Sequence, residues 1–133
     1  MAKVHVHSVD ELIWKTVREQ TRDNPLKHLS EANLNAQVLI HEAGSETSCQ
    51  LFETIFEAGA EVAIHRHDED EIMYVVDGEM MLGARKLSPG SSVFIAGGTF
   101  YGFKAGPNGL RFLNFRPRAD NSYIPAPQQP ARA

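Results

Sequence analysis

His65, His67 and Glu71 are the residues of this chain best suited to act together, and the chemistry they suggest is metal ligation. They lie in Gly59-Ala-Glu-Val-Ala-Ile-His65-Arg-His67-Asp-Glu-Asp-Glu71-Ile-Met-Tyr-Val-Val-Asp-Gly78. Successive side chains of a β-strand alternate faces, so His65 and His67 project from one face. If Asp68-Glu69-Asp70 closes a hairpin, Glu71 falls opposite His67 on the returning strand, with Cβ atoms roughly 4.5–5.5 Å apart. Two imidazoles and one carboxylate, with further positions open to water or substrate, match the donor set of non-haem Fe(II) oxygenases. Three protein ligands also suit a catalytic zinc, and Mn, Co, Ni or Cu are compatible. The expectation is one divalent metal ion, with Fe(II) favoured.

The elements that must position these residues read mostly as short strands. Leu34 to His41, Cys49 to Phe56, the run from Glu71 to Asp77-Gly78, Val93 to Ala96, Thr99 to Phe103 and Leu110 to Phe115 are separated by turn-forming Gly, Pro, Asn and Ser. Such spacing predicts an antiparallel sandwich or barrel. Ahead of it, Ser8-Val-Asp-Glu11 has the form of a capping box before Leu12, Ile13, Trp14 and Val17, predicting an amphipathic helix over 9–20. Residues 21–33 read as a loop. The organisation expected is an N-terminal extension over 1–33, a barrel over 34–117 and a Pro-rich tail over 118–133.

A chain of 133 residues accommodates one domain, and its 42% hydrophobic and 23% charged composition is that of a globular protein. Net charge is −4, and the 13 Lys and Arg are scattered, which argues against nucleic acid or an anionic membrane as partner. Cys49 is the only cysteine, so there is no internal disulfide. With no apolar leader and no apolar run of membrane-spanning length, the cytoplasm is the expected compartment.

The first motif resembles that of the cupin superfamily. Gly59, His65, His67, Glu71 and Gly78 reproduce its full spacing, Gly-x5-His-x-His-x3-Glu-x6-Gly. The second motif, Gly-x5-Pro-x-Gly-x2-His-x3-Asn, is met in part: Gly90 and Gly98 are present, while Ala96, Tyr101 and Ala105 stand where proline, the metal-binding histidine and asparagine fall. The resemblance covers roughly residues 45–117. It implies an all-β jelly-roll (double-stranded β-helix) barrel with a short N-terminal helix, and a metal-ligand set short by one.

Tyr101 has three readings: a phenolate ligand, a proton donor or acceptor beside the metal, or an aromatic that fills the space of the missing histidine. Direct ligation ranks last, because a phenol ionises near pH 10 unless strongly perturbed. His41 is an outside candidate for a fourth ligand. His5 and His7 repeat the His-x-His spacing without a partner at hairpin distance and read as incidental. By parity with Glu71 and Tyr101, Met73, Val75 and Phe103 face inward and would wall an apolar substrate pocket. Arg111 and Arg116 are expected to point outward.

These readings lead to a metal-dependent cupin enzyme for a small apolar or aromatic molecule, with an Fe(II) dioxygenase favoured. The alternatives are a Lewis-acid isomerase, cyclase or lyase that uses no oxygen, and a non-catalytic ligand-binding module. A homodimer is expected, because cupin-like barrels commonly pair through their sheets.

Overall fold

The computed structural model describes residues 3–22 and 29–127. Nine strands form one curled antiparallel sheet: β1 (Lys15–Thr16), β2 (Gln37–Glu42), β3 (Gln50–Phe56), β4 (Glu61–Arg66), β5 (Glu71–Leu82), β6 (Arg85–Leu87), β7 (Ser92–Ile95), β8 (Tyr101–Arg116) and β9 (Ile124–Pro125). The sixteen-residue β8 is the spine. Along one edge it pairs with β5. Along the other its first part pairs with β4, through His65↔Tyr101 and Val62↔Phe103, and its second part with β3, from Phe56↔Leu110 to Gln50↔Arg116. The chain thereby closes into the expected jelly-roll barrel.

Burial alternates over the first half of β5: Glu71, Met73 and Val75 are buried while Ile72, Tyr74 and Val76 are exposed. A period of two is the signature of a strand with one face on the core. Met73 and Val75 meet Phe56, Val62, Met80, Phe103, Ala105, Leu110 and Phe112 in one cluster. Phe56 stacks on Phe112 at 5.9 Å, and Phe103 meets Phe112 edge-on at 5.6 Å.

Four sequence expectations are corrected. The run 68–70 does not close a hairpin ladder, because β4 pairs with β8 and β9 while Glu71 pairs with Ile95 of β7. Residues 67–70 instead carry the chain from one edge of β8 to the other. Asp77-Gly78 does not end its strand, since β5 continues to Leu82 through two register irregularities. Gly106 to Gly109 is not a turn between strands but a four-residue bulge within β8, for Ala105 pairs with Met80 and Leu110 with Gly78. At that point a Cβ on Gly78, which has φ +72°, would lie 2.1 Å from the Gly109 carbonyl oxygen, so only glycine fits.

The fourth correction concerns the N-terminal helix. Residues 9–11 form a single 3-10 turn, Ser8 makes no side-chain cap and Leu12 is extended. The capping box is formed at Thr16, beyond Leu12 and at the end of β1. Thr16 Oγ1 accepts from Glu19 N–H at 3.2 Å and Glu19 Oε1 accepts from Thr16 N–H at 3.1 Å, starting the four-residue α1 (Val17–Gln20). The expected loop also holds a short α2 (Glu31–Leu34), capped by Ser30, while residues 23–28 lie outside the described residues.

The tail folds back on its own chain. Ala119 N–H donates to Ser45 O, β9 pairs with β4, and Ala126 N–H donates to Ile64 O, so residues 119–126 cross the barrel mouth as a strap. No helix among the described residues is long and apolar enough to cross a membrane.

Candidate metal centre

His65 ends the buried face of β4 and His67 follows just past its last residue. Each ring is oriented through Nδ1 by a backbone carbonyl. His65 Nδ1–H donates to Ala63 O at 2.7 Å, and His67 Nδ1–H donates to Ser122 O on the strap. A carbonyl only accepts, so both Nδ1 atoms carry the proton and both Nε2 atoms present lone pairs. Those two Nε2 atoms lie 3.0 Å apart. Two lone pairs at that distance repel unless a cation lies between them. A proton is a poor candidate, because burial holds both imidazoles below their ordinary value near 6.5, with the Arg116 charge adding to the effect at His67. One ion at ~2.1 Å from each nitrogen satisfies both, and tying the second ring nitrogen to a carbonyl is how metal-binding histidines are commonly aimed. The donor set therefore fits a divalent metal.

Glu71 is fully buried beside the pair, and its carboxylate is engaged elsewhere. Tyr101 O–H donates to Oε1. Oε2 accepts from Asn114 Nδ2 at 2.8 Å and from Arg116 Nη2 at 3.0 Å and Nε at 3.2 Å. With that orientation Glu71 does not share a 4.8 Å ligand cluster with both histidines. Burial, and after it the Glu71 carboxylate, pushes the Tyr101 phenol far above its ordinary value, so Tyr101 stays protonated. Arg116, expected to point outward, is buried with its guanidinium between Glu71 and the Asp120 carbonyl, which accepts from Nη1 at 2.7 Å. Arg111 sits outside, paired with Glu53 at 2.7 Å.

The strap supplies what the sequence reading passed over. Tyr123 stacks on His65 with ring centroids 4.4 Å apart and planes 11° apart. Asp120 accepts from Ser122 N–H at 2.8 Å and Glu69 N–H at 2.9 Å, and Ser122 Oγ accepts from Asp68 N–H at 2.8 Å. Burial works to raise the Asp120 pKa, but the hydrogen bonds from Ser122 and Glu69 and the Arg116 charge outweigh it and hold the carboxyl below its ordinary value. One signal was available for Asn114 and Arg116: they continue the inward parity of Leu110 and Phe112, where a polar side chain needs a partner.

Inside the pair lies a cavity of about 180 Å³, walled by Val38, Phe52, Phe56, Met73, Tyr101, Phe103 and Phe112. Val75 lies deeper in the core and does not line it. His67, Arg116, Phe52 and Tyr123 also border an outer vestibule of about 480 Å³, which adds the polar Gln20, Gln50 and Asn121. A larger groove of about 790 Å³ runs along the outer face of β4 and β8 and includes neither histidine. His41 stands apart from the cavity at the bulge in β2, its buried Nε2 unpartnered and 3.8 Å from Glu53 Oε1.

The histidine environment sets a pH dependence. Imidazoles held below their unfolded value bind protons more readily in the unfolded chain, so acid favours unfolding. Chelator-treated protein is expected to keep full stability above about pH 6.5 and to lose it progressively below, measured as urea midpoints across pH. A flat profile between about pH 7 and about pH 5 would contradict this.

The curled sheet with its interior histidine pair has the fold of a cupin barrel. Solved structures bear this out. An RmlC-like cupin protein from Ralstonia eutropha JMP134 matches with TM-score 0.67 at 14% identity, over 87% of this chain and 69% of that one. The polyketide cyclase RemF from Streptomyces resistomycificus matches with TM-score 0.58 at 20% identity, over 71% and 72%. KdgF from Halomonas sp. matches with TM-score 0.55 at 26% identity, over 73% and 89%. No protein-family model and no curated protein matches the chain.

Proposed function

We propose that this cupin is a metal-dependent enzyme that moves a proton on a small, largely apolar organic molecule, in a cyclisation, isomerisation or elimination. The observation that carries the reading is the pair of facing Nε2 lone pairs 3.0 Å apart, beside a Tyr101–Glu71 hydrogen bond. A divalent metal held by His65 and His67 would supply Lewis-acid polarisation of a substrate oxygen or, as iron, oxygen activation. Tyr101 holds its proton at the cavity wall, and Glu71 accepts that hydrogen bond while Arg116 and Asn114 keep its carboxylate oriented. The phenylalanines and Met73 exclude water from the apolar part of the ligand. That one solved cupin of similar fold is a polyketide cyclase agrees with this class.

Dioxygenation, the reaction favoured by the sequence pattern, stands second. Its donor set needs Glu71 as third ligand, and Glu71 is held by three other side chains. Turnover of phenols or diketones by metal-loaded protein separates the two: product formed without oxygen uptake supports proton chemistry, and stoichiometric uptake overturns it in favour of the dioxygenase. Ligand binding without turnover would indicate a binding module.

Tyr101→Phe gives a sharper check. It is expected to keep its metal and lose about 10²-fold in kcat, the lower range for a general acid or base. Loss of metal would instead make the phenol a ligand, and unchanged kcat would reduce it to a space-filler.

A further inference from the structure

Sequence reading set His5 and His7 aside, yet the fold brings them a carboxylate from thirty-five residues further on. His7 Nε2 lies 2.6 Å from Glu42 Oε1, and His5 Nδ1 lies 3.1 Å from Oε1 and 3.3 Å from Oε2. The rings stand edge to face with centroids 6.4 Å apart, so each turns a nitrogen to the same carboxylate. Among the described residues this is the group of three His, Cys, Asp or Glu side chains whose ligand atoms all lie within 4.8 Å of one another.

We propose that His5, His7 and Glu42 form a second divalent-cation site on the outside of the barrel, separate from the pair at its mouth. Two imidazoles and one carboxylate suit zinc, nickel or copper, and remaining positions would take water. Ligand atoms of a tetrahedral ion with ~2.1 Å bonds stand ~3.4 Å apart, close to the 2.6 and 3.1 Å that separate His7 Nε2 and His5 Nδ1 from Glu42 Oε1. With side chains 51%, 38% and 33% exposed, the group is reached directly from solvent.

Two features of the fold point the same way. Glu42 follows the bulge at His41, where the β2–β3 register shifts from Ile40↔Phe52 to Glu42↔Leu51, and bulges of this kind re-aim the next side chain. Among the described residues, no backbone hydrogen bond ties residues 3–7 to the sheet, and Val4 and Val6 are 77% and 76% exposed. The histidine–glutamate cluster is thus the polar anchor of that segment, and a bound cation would fasten it to β2.

The test is calorimetric titration of untagged, chelator-treated protein with zinc. Full-length chain is expected to bind two equivalents, and the His5→Ala/His7→Ala variant one. Both histidines are surface residues, and circular dichroism checks that the variant folds. Glu42→Gln, with a neutral and weaker ligand, should also lose one equivalent. Equal stoichiometry in all three proteins overturns the proposal. The mouth site is read independently: if it fails to bind, the unaltered chain takes one equivalent and the His5→Ala/His7→Ala variant none, which still supports the surface site.

Discussion

Arg116→Met is expected to destabilise the fold by about 3–5 kcal/mol, the range for removing one partner of a buried ion pair. The Glu71 and Arg116 side chains are 1% and 9% exposed and meet at 3.0 Å. Without the guanidinium, Oε2 keeps only the Asn114 amide, and the carboxylate is a buried charge with no counter-charge beside it. The Asp120 carbonyl loses its Nη1 donor, and the guanidinium's stacking over Phe52, at 5.2 Å, disappears. Methionine matches the stem of arginine, so little of the effect comes from volume. Urea denaturation measures it, and the double variant Glu71→Met/Arg116→Met should recover much of the loss because no lone charge remains. A single variant within about 1 kcal/mol of the unaltered protein would show that Glu71 carries no buried charge.

His67→Ala is expected to abolish metal binding at the barrel mouth, with affinity falling by more than about 10²-fold. Changes to residues that merely orient a ligand cost about 10–100-fold, so loss of a ligand must cost more. The remaining His65 nitrogen would be a single donor, and Glu71 is restrained from replacing the lost one by Tyr101, Asn114 and Arg116. Metal content by plasma mass spectrometry after dialysis against limiting metal is the readout. The substitution is best made in the His5→Ala/His7→Ala background, so that the surface cluster does not contribute. Retention of a full equivalent would mean that the facing nitrogens are not the ligands.

The barrel was legible in the sequence because its apolar runs are separated by turn-forming Gly, Pro, Asn and Ser and because Gly78 marks a real geometric demand. The period of two from Glu71 to Val76 appears only in burial, since the exposed Ile72, Tyr74 and Val76 are apolar too. Pairing was less legible. Local reasoning joined β4 to β5 across three acidic residues, whereas both pair with β8, tens of residues away; short-range spacing cannot register a partner that distant. The capping-box pattern occurred twice, at Ser8 and at Thr16, and only the second is formed. The first is followed by residues whose apolar side chains, Val9 and Ile13, find nothing to pack on. At the site, the two histidines converge as their spacing suggests. The engagement of Glu71 depends on Arg116 and Asn114, which parity alone would have turned inward. Tyr123 and Ser122 reach the site by a chain reversal that no periodicity encodes.

Ser122 meets His67 through its main-chain carbonyl, a group every amino acid possesses. The bond to that ring therefore uses no side chain and is sensitive to how many residues separate position 122 from β8, while the Ser122 hydroxyl, bonded to Asp68 N–H and Asp120, holds the carbonyl in place. A single insertion or deletion between Arg116 and Ser122 would displace the carbonyl and free the ring to rotate. The tail works in part as a spacer of fixed length, so its hold on His67 is recorded in chain length as well as in the side chains of Asp120 and Ser122.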